Sequence, residues 1–324
     1  LEEIKITEID GIKIGQVEDE KAATGVSVIL CEKGMAAGLD VRGGGPASRE
    51  SELMNPLAAA QEIHAVVLSG GSAFGLDAAG GVMEFLEEKN IGFDVGVTKV
   101  PLVCQADIFD LTVGDSHIRP DKNMGYEAAK KAFEGGNYKD GNFGAGCGAS
   151  VGKIMGMDFA MKSGIGSYAI SIGDFKIGAI VCLNALGDIF DYEKGEKIAG
   201  LLREDKKSFR STLDIMCSSL EVKENKFVGN TTIACVITNG KFDKTKLCKI
   251  AGMAHNGYAR SINPVHTSCD GDSIYAVSVG DIDVDQDLAG SLAALVISKA
   301  IEKAVKCAKS AYGLLAYDDI NMEG

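Results

Sequence analysis

Leu68-Ser69-Gly70-Gly71-Ser72-Ala73-Phe74-Gly75-Leu76-Asp77 is the stretch on which the fold reading turns. An apolar run, His64–Leu68, leads into it, and a helical pattern from about Leu76 to Lys89, stopped near Asn90, leads out. A strand, a glycine turn and a helix in that order read as one unit of a layered α/β protein. The unit has the outline of a dinucleotide fingerprint, but Ser72 stands where the second glycine would let the backbone approach pyrophosphate. Gly148-Ala149-Ser150-Val151-Gly152-Lys153 is one residue short of a phosphate loop, and Ile154 replaces the hydroxyl that would meet magnesium. Neither loop is read as a nucleotide site.

Upstream, Ile4, Ile6, Ile9, Ile12 and Ile14 alternate as a strand would, and Gly25–Cys31 gives a second β run. Arg42-Gly43-Gly44-Gly45-Pro46 has no helical period and reads as a loop needing unusual backbone angles or close packing. Downstream, Phe93–Val103 contains strands, Tyr126–Phe133 is helical and Gly135–Gly146 is a glycine-rich loop. Ala169–Ile172, Lys176–Leu183 and Thr232–Thr238 are β runs, the last closed by the turn dipeptide Asn239-Gly240. Asp191–Asn225 is the most polar stretch and reads as a solvated connector. Asp243 is placed to cap a helix reaching Arg260, Ser273–Val279 alternates as a strand, and Gln286–Ala311 is a long helix. No repeat of 20–50 residues is present.

The 324 residues, 46% hydrophobic and 24% charged, suffice for one large domain. A net charge of -13 argues against nucleic acid or anionic membrane as a partner, since either calls for a basic patch. Nine Cys at irregular spacings, without a CxxC pair, fit a reducing cytoplasm. Neither a signal peptide nor an apolar run of spanning length is read. Forty-one Gly against no Trp favour a site lined by backbone.

His266, Cys269, Asp270 and Asp272 bring imidazole, thiolate and carboxylate within seven residues, but no second ligand pair at metal spacing accompanies them. Asp281, Asp283, Asp285 and Asp287 mimic a calcium loop, yet Gln286 and Leu292 stand where its glycine and bidentate Glu belong. A solvated turn before a helix is the better reading. A GxSxG elbow is absent. What remains is Gly229-Asn230-Thr231-Thr232, at the start of a buried β run; by itself, Thr there is only a β-branched residue in a strand.

Five stretches taken together change that weight: Leu68–Asp77, Gly141–Gly146 through Gly152-Lys153, Asn184-Ala185-Leu186-Gly187-Asp188, Gly229–Thr232, and Pro264-Val265-His266-Thr267 through Asp270-Gly271-Asp272. In this order, over nearly the whole chain, they resemble the DmpA-type peptidases, which include β-peptidyl aminopeptidases and nylon-oligomer hydrolases. The resemblance implies a four-layer αββα sandwich and a single catalytic domain, 1–324. It also implies self-cleavage between Asn230 and Thr231 into fragments 1–230 and 231–324, and a homotetramer of processed units. No metal or organic cofactor is implied.

The roles come from the same resemblance. Thr231 matches the nucleophile, whose new α-amine can take the hydroxyl proton. Lys153 matches the neighbouring lysine, Asn184 the oxyanion-stabilising amide, and Asp270 and Asp272 the pair that orients the nucleophile. Phe109 stands where several relatives have Tyr, so a phenol hydrogen bond is missing. Asp107 lies near the position of an amine-holding Glu. The expected substrate is a small peptide, amide or ω-amino-acid oligomer. The alternatives are an acyltransferase like the ornithine acetyltransferases, which lack the Gly70–Asp77 match, and a glycine-rich binding protein without activity.

Overall fold

The computed structural model describes residues 1–218 and 229–320. Its layering follows from strands that are apolar at successive positions. In Thr231–Gly240, Ile233, Cys235 and Ile237 enter one buried cluster while Ala234 and Val236 enter another. Successive side chains of a strand point to opposite faces, so such a run must be covered on both.

The main strands are β1 (Lys13–Asp19), β2 (Thr24–Val41), β3 (Ile63–Ser69), β4 (Val103–Asp107), β5 (Ile165–Ile172), β6 (Phe175–Asn184), β7 (Thr231–Gly240) and β8 (Ser273–Ile282). The main helices are α1 (Ala78–Glu88), α2 (Lys122–Phe133), α3 (Lys244–Ser261) and α4 (Gln286–Lys306). One sheet runs β5-β6-β7-β8-β2, antiparallel except for the parallel pair β7-β8. The other runs β1-β2-β3-β4, its β3-β4 pair parallel. The 18-residue β2 belongs to both: Val26–Leu30 pairs with β3, and Ala36–Val41 with β8, across a register shift.

Three clusters fill the gaps. Ile29, Val66, Leu68, Ile180, Ile233, Cys235, Ile237 and Val277 pack between the sheets. Helices α3 and α4 cover the outer face of the first sheet, and α1 with α2 covers the second. The order is therefore helix, sheet, sheet, helix, the four-layer αββα sandwich expected from the sequence. Each fully buried Ile or Val side chain contributes about 1.5–3 kcal/mol relative to exposure.

Several local expectations are corrected. Asn239-Gly240 is not a turn; it ends β7, with a register shift beside it that accommodates the pair. The isoleucine alternation near the start is broken by a 3-10 turn at Ile6–Glu8, which still buries Ile6. The polar connector carries a strand, Glu196–Ala199, and a helix, Thr212–Cys217. The buried Asp188 carboxylate ties it down through Leu201 N, Thr212 N and Lys197 Nζ. The connector's last part, 219–225, lies outside the described residues. Helix α4 stops at Lys306, five residues before the expected end. The acidic run before it supplies the N-cap, Asp285 accepting Leu288 N at 2.9 Å. Among the described residues no helix is long and apolar enough to cross a membrane.

Helices approach the first sheet at glycines. A Cβ on Gly166 of β5 would stand 2.2 Å from Ala304 N and 2.3 Å from Ala300 O of α4, both backbone atoms that cannot swing aside. Gly166→Val is therefore expected to lower stability by about 3 kcal/mol through overpacking. A urea midpoint unchanged from the parent would contradict this contact.

Candidate active site

The site lies at one end of the first sheet, where β6 finishes and β7 and β8 begin. Antiparallel pairing sets Asn184, the last residue of β6, opposite Thr231, the first of β7. On the other side Asn230 bridges to Asp270 in the parallel direction, just before β8. Strand register alone thus brings together residues 47 and 40 positions apart in the chain (231 − 184 and 270 − 230). Lys153, Asn184, Asn230, Thr231, Asp270 and Asp272 are each at most 4% exposed, so every polar atom here needs a partner within the protein.

Lys153 Nζ finds three: Asn184 Oδ1 at 2.8 Å, Asn184 O at 3.0 Å and Gly229 O at 2.5 Å. Burial drives its pKa down to about 7, while the carboxylates of Asp270 and Asp110 pull the other way. Asn184 Oδ1 also accepts from Ser150 N at 3.1 Å, so the side-chain amide Nδ2 faces the opposite direction. It donates to Phe109 O at 2.9 Å and Gly229 O at 3.2 Å. Lysine and asparagine therefore converge on one carbonyl, that of Gly229.

The Thr231 hydroxyl donates to the carbonyl oxygen of Asn230 and accepts from Gly271 N at 3.2 Å. Gly271 has no room for a side chain, since a Cβ would meet Thr231 Oγ1 at 2.8 Å. Asp272 Oδ1 accepts Thr232 N at 2.8 Å, and Oδ2 accepts His266 N at 3.0 Å and pairs with His266 Nδ1 at 2.9 Å. Asp270 Oδ2 accepts Thr267 N at 2.6 Å; burial and the neighbouring Asp272 charge push its pKa up to about 6. The expected loop at Arg42–Pro46 is explained by close packing: Gly43 and Gly44 lie against the backbone of Ser268–Asp272, and Gly45 N donates to Asp270 O at 2.8 Å.

Phe109 meets the site through its carbonyl and through its ring, against which Gly229 is packed. Asp107 is fully buried, with Oδ1 accepting Gln105 Nε2 at 2.7 Å and Oδ2 without a partner among the described residues, and burial raises its pKa well above the carboxylate range. The glycine turn after β3 closes on a carboxylate: Asp110 accepts Gly71 N at 2.8 Å and Thr24 Oγ1 at 2.7 Å. That carboxylate would repel a phosphate at the turn. The phosphate-loop reading fails likewise, because Lys153 points inward. Among the described residues no group of three acidic, His or Cys side chains is placed to hold a metal ion.

A family model, peptidase family S58, matches residues 5–314. The chain belongs to peptidase family S58. An uncharacterised aminopeptidase of Mycobacterium leprae is 35% identical, the match covering 86% of this chain and 79% of the relative. A 6-aminohexanoate-oligomer endohydrolase of a Kocuria species is 30% identical, over 85% and 74%. The solved L-aminopeptidase D-Ala-esterase/amidase of Ochrobactrum anthropi, described as a variant of the Ntn hydrolase fold, superposes with a TM-score of 0.63 at 16% identity. That match covers 94% of this chain and 86% of the other, and carries the fold. As a member of family S58 the protein is a hydrolase of peptide or amide bonds, and the non-enzymatic reading falls away.

Within this S58 site, sequence reasoning missed Asp110, which has no motif around it, and gave His266 no role, although it lies in the last of the five matching stretches and in the rejected metal cluster. The ammonium of Lys153 is its most exacting feature. Between about pH 7 and the ordinary lysine value of 10.5 the unfolded chain holds a proton that the folded chain has lost. Stability from this residue therefore rises with pH across that window. In a Thr231→Ala background, urea unfolding from about pH 7.5 to 9.5 should favour Lys153 over Lys153→Met by on the order of 1 kcal/mol more per pH unit. A pH-independent difference would refute the depressed pKa.

Proposed function

We propose that the chain cuts itself between Asn230 and Thr231, and that Thr231 is then the nucleophile of an aminopeptidase or amidase. The observation that carries this is the Thr231 hydroxyl, hydrogen-bonded to the carbonyl of the residue before it and held from behind by Gly271 N. Attack of Oγ1 on the Asn230 carbonyl carbon breaks the peptide C–N bond, leaving an ester on Oγ1 and a free amine on Thr231. Water hydrolyses the ester, which returns the hydroxyl and releases the Asn230 carboxylate on fragment 1–230.

In turnover the new α-amine takes the hydroxyl proton as Oγ1 attacks the substrate carbonyl, and passes it to the departing amine. The acyl group remains on Thr231 until water removes it. Lys153, beside this amine, disfavours its protonation whenever it carries charge itself. Asn184 Nδ2 and Lys153 Nζ, both spent on Gly229 O in the uncut chain, become available to a developing oxyanion once that carbonyl withdraws. Loss of one such donor costs on the order of 10²–10³ in rate. Asp270 and Asp272 hold the loop that presents Gly271 N. Asp107, with its unpartnered buried oxygen, is the candidate anchor for a substrate amine, and Phe109 lines the acyl side with a ring in place of a phenol.

The substrate class is an amide next to a small amino acid, or a short ω-amino-acid oligomer, in keeping with the aminopeptidase and 6-aminohexanoate-oligomer relatives. The scheme draws on no metal or organic cofactor. The family resemblance extends it to a homotetramer of processed units, and the cysteine usage suits a cytoplasmic setting.

Mass spectrometry with an activity assay tests the proposal. The parent should yield fragments 1–230 and 231–324, while Thr231→Ala should stay a single 33.9 kDa chain without amidase turnover. Fully active protein with the 230–231 bond whole, or turnover by Thr231→Ala, would overturn it.

A further inference from the structure

One histidine beside the site has no part in that scheme. His266 has a φ of 57°, a left-handed conformation that residues other than glycine seldom adopt. The conformation turns both its backbone N–H and its ring Nδ1 onto a single oxygen, Asp272 Oδ2, at 3.0 and 2.9 Å. The other oxygen of that carboxylate accepts the N–H of Thr232 at 2.8 Å. Asp272 is thus clamped between the imidazole and the residue that follows Thr231. Since a carboxylate only accepts, Nδ1 carries the hydrogen; Nε2 is buried without a partner among the described residues.

The ring is also walled in from behind. His255 packs edge-on against it with centroids 4.8 Å apart, and Tyr258 lies at 5.9 Å. His255 is fixed in turn by its Nε2, 3.0 Å from Asp40 O. A residue in an unusual backbone state, wedged by aromatics and spending two donors on one oxygen, has a defined task.

We infer that His266 is a positioning residue for Thr231: it fixes the Asp272 carboxylate, which fixes Thr232 N and the Gly271-Asp272 backbone that holds the Thr231 hydroxyl. The inference rests on Thr231 being the nucleophile. Without the ring donor the carboxylate keeps only its two backbone donors, His266 N and Thr232 N, and is held less firmly, so the hydroxyl loses part of its alignment with the carbonyl it attacks. A misplacement of about 1 Å at a reacting atom costs on the order of 100-fold in rate.

The readout is the first-order rate of self-cleavage, followed by mass as fragment 231–324 appears, together with kcat and KM of the cut enzyme on alanine p-nitroanilide. His266→Ala should slow cleavage by about 10- to 100-fold and lower kcat with KM little changed. His266→Asn, whose amide nitrogen can fall where Nδ1 was, should recover most of the loss, and His266→Gln should not. In an Asp272→Ala background, which removes the acceptor, His266→Ala should add no further loss. Parental rates in His266→Ala, or equal impairment of the Ala and Asn variants, would overturn the inference. Cleavage or turnover persisting in Thr231→Ala would instead sink the nucleophile assignment beneath it.

Discussion

An ammonium group taken out of water must be answered by oxygen atoms, and the end of the first sheet is arranged around that demand. Lys153 is buried, and among the described residues its hydrogen bonds go to three neutral oxygens, two from Asn184 and one from Gly229, and to no carboxylate. Neutral acceptors compensate burial only in part, which is why the ammonium surrenders its proton near neutrality. The same oxygens fix the rest. Asn184 is oriented by the lysine, so its amide must face Gly229, and Gly229 leads directly to Asn230 and Thr231.

What positions those groups is mostly backbone. Strand pairing supplies Asn184 opposite Thr231, and the two acidic side chains serve main-chain N–H groups at Thr232, His266 and Thr267. Glycines make the closeness possible: Gly271 under the hydroxyl, Gly229 under the Phe109 ring, Gly43 and Gly44 beneath the acidic loop. The charges then act over short distances in a dry setting, where each is worth more than at a surface.

The layers were legible in the sequence because runs such as Lys176–Leu183 and Thr232–Thr238 are largely apolar on both faces, and helices, one of them opened by the capping Asp243, alternate with them. The site was legible only as five short stretches in order. Local signals failed where long-range contacts override them. Asn239-Gly240 has turn chemistry, but Gly240 pairs with Ile282 of β8 and the Asn239 side chain accepts Lys176 N of β6. The polar connector gains a strand and helix because Asp188, just ahead of it, takes donors from 13 and 24 residues further on. Asp107 and Asp110 gave no sign of burial, since a lone carboxylate is ordinarily solvated even beside apolar residues; the packing of β4 under the glycine turn hides them. His266 lay inside a matching stretch, but its left-handed backbone and its pairing with Asp272 were not legible there.

The order of strands in the first sheet bears on what a break at residue 230 would mean for the assembled molecule. β7 and β8 lie side by side in the middle, flanked by β6 on one edge and β2 on the other, both from the earlier part of the chain. Helices α3 and α4 from the later part cover the face that β5 and β6 help to form. The two lengths of polypeptide are interleaved like the fingers of clasped hands. Severing one covalent link there is a nick in a shared fabric: it creates chain ends inside the protein while ladder hydrogen bonds and a common core keep the pieces together.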